Sequence, residues 1–269
     1  MNVKEKMSNF KKNHVKISPD RMHQKDHFTD EVVKLTDVTF AYNGTPVLEN
    51  INLSVQVGEF LALIGPNGAA KSTLMKLMVG LLKPKAGEVR LFGQDIKRFC
   101  DWNRIGYVSQ QAAHVNTAFP ATVEEVVSSG FYSGFGKLFD SKKRQEAVAH
   151  AMKLTGISEL SRRLVGELSG GQRQKVFVAK ALVKNPEALF LDEPTTGIDA
   201  ASQQEFYNLL MDLNRNEGIT VVIITHDIGA AFGKAKKIGC VRDRGVYIHE
   251  NTNEVTQEHI AEVLGYKLS

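Results

Sequence analysis

Cysteine is nearly absent from this chain: its 269 residues include two, Cys100 and Cys240. They lie far apart and neither belongs to a C-x-x-C pair. That excludes a disulfide framework and a zinc module, and it suits a reducing compartment. A marked excess of one charge is also lacking. With 34 basic and 30 acidic residues the net charge is +4, too small an imbalance to argue for a nucleic-acid partner. No apolar run approaches the length of a bilayer crossing. The runs that exist, Phe60–Ile64 and Val221–Ile224, suit strands buried in a parallel sheet. The N-terminal stretch is polar and Lys-rich with no apolar h-region, so no signal peptide is expected. A membrane served by this protein is therefore expected to be reached from the cytoplasmic face, through a partner.

What is present is the balance of an ordinary globular protein, 42% apolar and 24% charged. Residues 1–31 read as a polar, disordered tail. Its His14, His23 and His27 match no standard metal-ligand spacing and fit a solvated segment. From residue 32 the pattern changes. Val33–Tyr42 and Pro46–Gln56 read as strands joined by a tight turn at Asn43-Gly44. Phe60–Ile64 follows as a buried strand, and then a helix whose apolar face is Leu74, Leu77, Met78 and Leu81. Strands are expected at Glu88–Phe92 and Ile105–Ser109. The middle, about 112–186, reads as a helical subdomain. It has a capping box at Thr122 and Glu125, a helix from Ser141 closed by Gly156, and a helix over Gln172–Lys184. Alternation then returns: strand Ala188–Leu191, a helix capped by Asp199, strand Ile219–Thr225, helix Asp227–Lys237, strands Lys237–Val241 and Val246–Glu250, and a closing helix near Val255–Leu264. The fold class is α/β, a mostly parallel sheet with an antiparallel β subdomain and an inserted helical one.

Gly65-Pro66-Asn67-Gly68-Ala69-Ala70-Lys71-Ser72-Thr73 lies between a strand and an amphipathic helix. That is the context of a P-loop (Walker A), whose backbone N–H groups and helix N-terminus cradle phosphate oxygens. Lys71 is placed to reach the β- and γ-phosphates and Ser72 to ligate Mg²⁺. Ala70 stands where the pattern carries Gly. If that position needs φ > 0, the methyl group costs roughly 1–2 kcal/mol and weakens ATP binding about tenfold. If φ is negative, Ala70 is neutral. Further on, Ala188–Leu191 is an apolar strand ending in Asp192 and Glu193. Asp192 suits a Mg²⁺ site and Glu193 a general base, although the pair alone also suits a solvated acidic turn. Leu168-Ser169-Gly170-Gly171-Gln172 opens a helix with a second anion-binding terminus.

With these three motifs in this order, the sequence resembles the ATPase subunits of ABC transporters over about residues 32–250. The resemblance implies a P-loop fold with ATP and Mg²⁺ as cofactors. It assigns catalytic work to Glu193, His226, Gln110 and Lys71. Nucleotide contacts fall to Tyr42, to residues 65–73, to Ser169, Gly170, Gly171 and Gln172, and to Asp199 in the D-loop Gly197-Ile198-Asp199. Mg²⁺ falls to Ser72, Gln110 and Asp192. Read without the resemblance, Tyr42 is a strand aromatic, Gln111 competes with Gln110, and His226 ends a strand.

The family also implies a homodimer, in which the phosphate loop of one copy faces Ser169 and Gly171 of the other, on separate membrane permease subunits at the cytoplasmic face. Residues 105–110, 116–127 (with Phe119-Pro120-Ala121-Thr122-Val123) and 225–229 are similar to bacterial zinc and manganese importers, zinc first. An extracytoplasmic metal-binding protein is then implied indirectly. Phe131 to Phe139, with Phe131 and Tyr132 foremost, lies where the family docks its permease. A soluble ABC protein of repair or translation is disfavoured: the chain carries neither a second cassette nor a coiled-coil insertion. No regulatory C-terminal domain is expected.

Overall fold

The computed structural model describes residues 30–110, 120–131, 141–227, 229, 233–250 and 256. The expected tail up to residue 29, most of the closing helix, residues 111–119 and 132–140, and most of the expected helix after Asp227 lie outside them, while Glu31, expected in the tail, belongs to the first strand.

Alternating apolar residues make β1 (Glu31–Tyr42) and β2 (Thr45–Gln56) an antiparallel hairpin. The turn has Asn43 at φ +48 and Gly44 at φ +85, the left-handed pair that a two-residue hairpin needs. On the other side of β1 lies β4 (Ala86–Leu91), followed by the two-residue β5 (Gln94–Asp95), in the order β2-β1-β4-β5.

The second sheet has the order β10-β9-β3-β8-β7-β6. Its members β3 (Phe60–Ile64), β6 (Ile105–Val108), β7 (Ala188–Asp192), β8 (Thr220–Ile224) and β9 (Lys237–Arg242) pair in parallel. The antiparallel β10 (Gly245–His249) closes one edge. Every residue of β3, β7 and β8 is buried, which is why these strands read as unbroken apolar runs. Leu61, Leu63, Phe190, Val222 and Ile224 face a core shared with the antiparallel sheet and α1 (Lys71–Met78). Ala62, Ile64, Leu189, Leu191, Val221 and Ile223 face the opposite core. That core is built with α2 (Val123–Ser128), α3 (Ser141–Leu154), α4 (Gly170–Leu182) and α5 (Ala200–Glu217). Among the described residues, no helix is long and apolar enough to cross a membrane.

Several boundaries differ from those expected. α1 stops at Met78, and Leu81 is 60% exposed rather than part of its apolar face. Gly80 at φ +72 turns the chain, and the amides of Leu81 and Leu82 both return to the Lys76 carbonyl. α4 begins at Gly170 because Ser169 and Gln172 cap each other: the Gln172 amide donates to Ser169 Oγ at 3.2 Å and the Ser169 amide to Gln172 Oε1 at 3.1 Å. Ser141 is the first residue of α3 rather than its cap. Phe92, at φ +47, lies just past β4. The capping box at Thr122 and Glu125 forms as expected, as does the Asp199 cap on α5, which accepts from the Ser202 amide at 2.9 Å.

Candidate functional site

The C-terminal ends of β3, β7 and β8 converge, the usual place for ligand sites in parallel sheets. After β3, the loop at residues 65–70 turns beneath β9. A side chain on Gly65 would run into the Val241 carbonyl, so only glycine lets the loop lie this close. Gly68 takes φ +82 and Ala70 φ +68. The alternative of negative φ at Ala70 is thus replaced by a left-handed residue at the N-cap of α1.

Lys71 is buried and its Nζ donates to the carbonyls of Gly65 (2.9 Å) and Pro66 (3.0 Å). It lies 3.9 Å from Glu193 Oε1. Burial lowers its pKa, and the carboxylates of Glu193 and Asp192 partly offset that. Ser72 Oγ donates to Asp192 Oδ1 at 2.8 Å. Burial raises the Asp192 pKa, opposed by the Ser72 hydrogen bond and by Lys76 and Lys71. Glu193 follows at φ +49, a strained left-handed backbone of the kind that collects at functional sites. Its Oε1 lies 2.7 Å from His226 Nε2, and its Oε2 accepts from Gln110 Nε2 at 3.0 Å. One carboxylate therefore gathers groups from β6, β8 and the phosphate loop. It also lies between two cavities. One, of about 280 Å³, is walled by Tyr42, Val47, Lys71, Ser72 and Thr73. The other, of about 340 Å³, is walled by Thr195, Gly197, Gln203 and His226.

Tyr42 ends β1, stays 46% exposed and lies edge-on to Phe40, with its hydroxyl 3.5 Å from Thr73 Oγ1. A flat, open aromatic face beside the loop suits a nucleotide base. The paired hydroxyl and carboxylate of Ser72 and Asp192 are hard oxygen donors of the kind Mg²⁺ takes, with coordination left over for water and phosphate. The donor set therefore fits a Mg²⁺–nucleotide.

Ser169, Gly171 and Gln172 border a separate cavity of about 210 Å³ with Ser202 and Glu205, which shares no residue with the Tyr42–Lys71 cavity. Within one chain, then, the 168–172 motif is not brought to the phosphate loop. Its glycines instead allow a tight helix contact. A side chain on Gly170 would meet Ile198 Cγ2 at 2.7 Å, and one on Gly171 would meet Ser202 Cβ at 2.8 Å. Asp199 serves as the cap of α5, and its hydrogen bonds to the Ser202 amide and side chain lower its carboxyl pKa.

Residues not anticipated from the sequence complete the surroundings. Tyr207 on α5 is buried beneath the site, its hydroxyl 2.6 Å from Thr225 Oγ1. Gln203, one turn earlier, donates to the carbonyls of Thr195 (3.4 Å) and Ile198 (3.2 Å). Tyr107 on β6 buries a hydroxyl that has no hydrogen-bond partner among the described residues. Its pKa is pushed up to about 12, chiefly by desolvation and then by Asp192. The spacing of Gln203 and Tyr207, four apart on a capped helix, was the only available signal.

Comparison with known proteins adds four findings. Residues 48–196 match the family model described as ABC transporter. The chain is 46% identical over 203 residues to the zinc uptake system ATP-binding protein ZurA of Listeria innocua, covering 75% of this chain and 79% of that one. It is 37% identical to the manganese transport system ATP-binding protein MntB of Bacillus subtilis, covering 88% and 94%. Among solved structures, the dimeric post-hydrolysis form of the ATP-binding cassette MJ0796 bound to ADP and Pi superposes with a TM-score of 0.68. Its sequence is 29% identical, and the match covers 81% of this chain and 97% of that one.

Proposed function

Because this chain belongs to the ABC transporter family, we propose that it is the ATP-hydrolysing subunit of a bacterial importer for zinc or manganese. The observation that carries the catalytic part is the gathering of His226, Gln110 and Lys71 around Glu193. The metal is suggested by the relatives, whose names are those of zinc and manganese systems. Cargo ions would not touch this subunit, so zinc and manganese are distinguished by experiment.

In this reading Lys71 and the amides of the loop hold the phosphates, and Tyr42 meets the base. Ser72 and Asp192 hold Mg²⁺, which supplies charge neutralisation on the transferring phosphoryl group. Gln110 orients the carboxylate of Glu193, and Glu193 takes the proton of the attacking water. His226 braces Glu193 at one oxygen and can donate towards developing charge. Ser169, Gly170, Gly171 and Gln172 serve a second copy: their helix N-terminus completes the site in trans. Nucleotide then joins two chains, and its hydrolysis frees them, a switch that a separate permease on the cytoplasmic membrane face would read.

The test has two stages. Glu193→Gln should lower the Mg²⁺-dependent ATPase kcat by about 10²–10⁴-fold with the ATP KM nearly kept. Bacteria carrying that variant, grown at limiting metal, are then assayed for whole-cell zinc and manganese by mass spectrometry. A fall in zinc alone supports zinc import, and a fall in manganese alone reassigns the cargo. Unchanged levels of both would contradict metal import.

A further inference from the structure

Glu193 and His226 sit on different turns, one after β7 and one after β8, yet their side chains approach to 2.7 Å. Such closeness between two loops requires something to fix their spacing. The Glu193 backbone is itself strained, so it does not hold the geometry unaided.

Tyr207 lies beneath both turns. Its ring is 1% exposed, edge-on to Phe206 at 6.5 Å, with Lys234 Nζ 5.0 Å from its centroid. Its hydroxyl meets Thr225 Oγ1 at 2.6 Å, one residue before His226. Thr225 Oγ1 in turn accepts from the Asp227 amide at 3.1 Å, fixing the backbone on the far side of His226. From the same face of α5, Gln203 holds the Thr195 and Ile198 carbonyls. One face of α5 therefore reaches both turns, Tyr207 through Thr225 and Gln203 through the Thr195 carbonyl.

We infer that the Tyr207 hydroxyl is a positioning group for hydrolysis, anchoring the His226 turn through Thr225 to the same helix face from which Gln203 holds the Glu193 turn at Thr195. It acts through Thr225 rather than on the reacting atoms. The inference rests on the ATPase reading above and adds a residue to it. Small misplacements of catalytic groups are costly in rate while ground-state binding survives. Removing the hydroxyl should therefore lower kcat and spare KM.

The full chain is compared with Tyr207→Phe, Thr225→Val, the double variant and Thr225→Ser, measuring ATPase kcat, ATP KM and Tm. Tyr207→Phe keeps the packed ring. The expected result is a loss of about tenfold in kcat with KM within about twofold. Thr225→Val should match it, the double variant should be no worse than either single one, and Thr225→Ser should retain activity. Wild-type kcat in Tyr207→Phe would overturn the inference. So would additive losses, a KM rise in step with the kcat loss, or Thr225→Ser as poor as Thr225→Val. Should Tyr207→Phe not fold, the contrast between Thr225→Val and Thr225→Ser still decides. An inactive wild-type chain would instead overturn the ATPase reading and this inference with it, whereas a Tyr207→Phe as active as an active wild type overturns the inference alone.

Discussion

Ala70 occupies a backbone conformation, φ +68, that glycine adopts freely and alanine does not. The left-handed region costs an alanine about 1–2 kcal/mol. The loop holds this conformation as part of the fold, so most of the cost falls on folding. Ala70→Gly is accordingly expected to raise stability by about 1 kcal/mol, or a few degrees in Tm for a chain of this size. ATP affinity should rise by less than tenfold. A melting curve and a nucleotide titration check both, and an unchanged Tm would count against the strain.

Asp192 gives a prediction in pH. Its ordinary pKa of 3.8 is raised by burial. Between 3.8 and the raised value the folded chain keeps a proton that the unfolded chain has released, so stability falls as pH rises through that window. The full cost of the buried charge is present above it. Asp192→Asn keeps an oxygen for Ser72 and removes the charge. It should melt higher than wild type at neutral pH without Mg²⁺, lose that advantage towards pH 3.8, and hydrolyse no ATP. A variant less stable at neutral pH would contradict the sign.

At this scale the site was legible where chemistry is written in a motif. Lys71, Ser72, Asp192 and Glu193, singled out by their motifs, lie together, and Gln110, which only the family resemblance supplied, joins them at Glu193. Tyr207 was not legible, because on a helix face next to Phe206 it reads as core. Its hydroxyl matters only through Thr225, a contact between residues 18 apart in sequence.

The elements show where local signals suffice. The hairpin turn at Asn43-Gly44 and the caps at Thr122 and Asp199 use side chains that act on their own backbone, so the sequence marks them closely. The end of α1 was overrun because Leu81 keeps the helical period, while Gly80 turns left-handed against Trp102, a neighbour far along the chain. The two-residue β5 carries too little pattern to announce itself. The N-terminus of α4 is packed closely: Gly171 faces Ser202 of α5 with no room for a methyl group. Gly171→Ala is expected to cost about 1–3 kcal/mol by forcing the helices apart. Thermal unfolding should show a fall of several degrees, and a Tm equal to wild type would contradict the close contact.

At the scale of the whole molecule, the proposed function has one chain carry two halves of a site. The Lys71 cavity and the Ser169 cavity share no residue, and each presents donors suited to an anion. The strand order that makes the parallel sheet was only partly readable: β3 pairs with β8 and β9, far along the chain, and no local pattern dictates which buried strands become neighbours. The similarity to a dimeric cassette agrees with the division into halves. Pairing through nucleotide is therefore the central claim, and sedimentation of the full-length Glu193→Gln variant tests it most directly. With ATP and Mg²⁺ it should sediment at the mass of two chains, and it should return to one when nucleotide is removed or when Lys71→Ala is added. A variant that remains a single chain at saturating ATP, with binding confirmed, would contradict the claim.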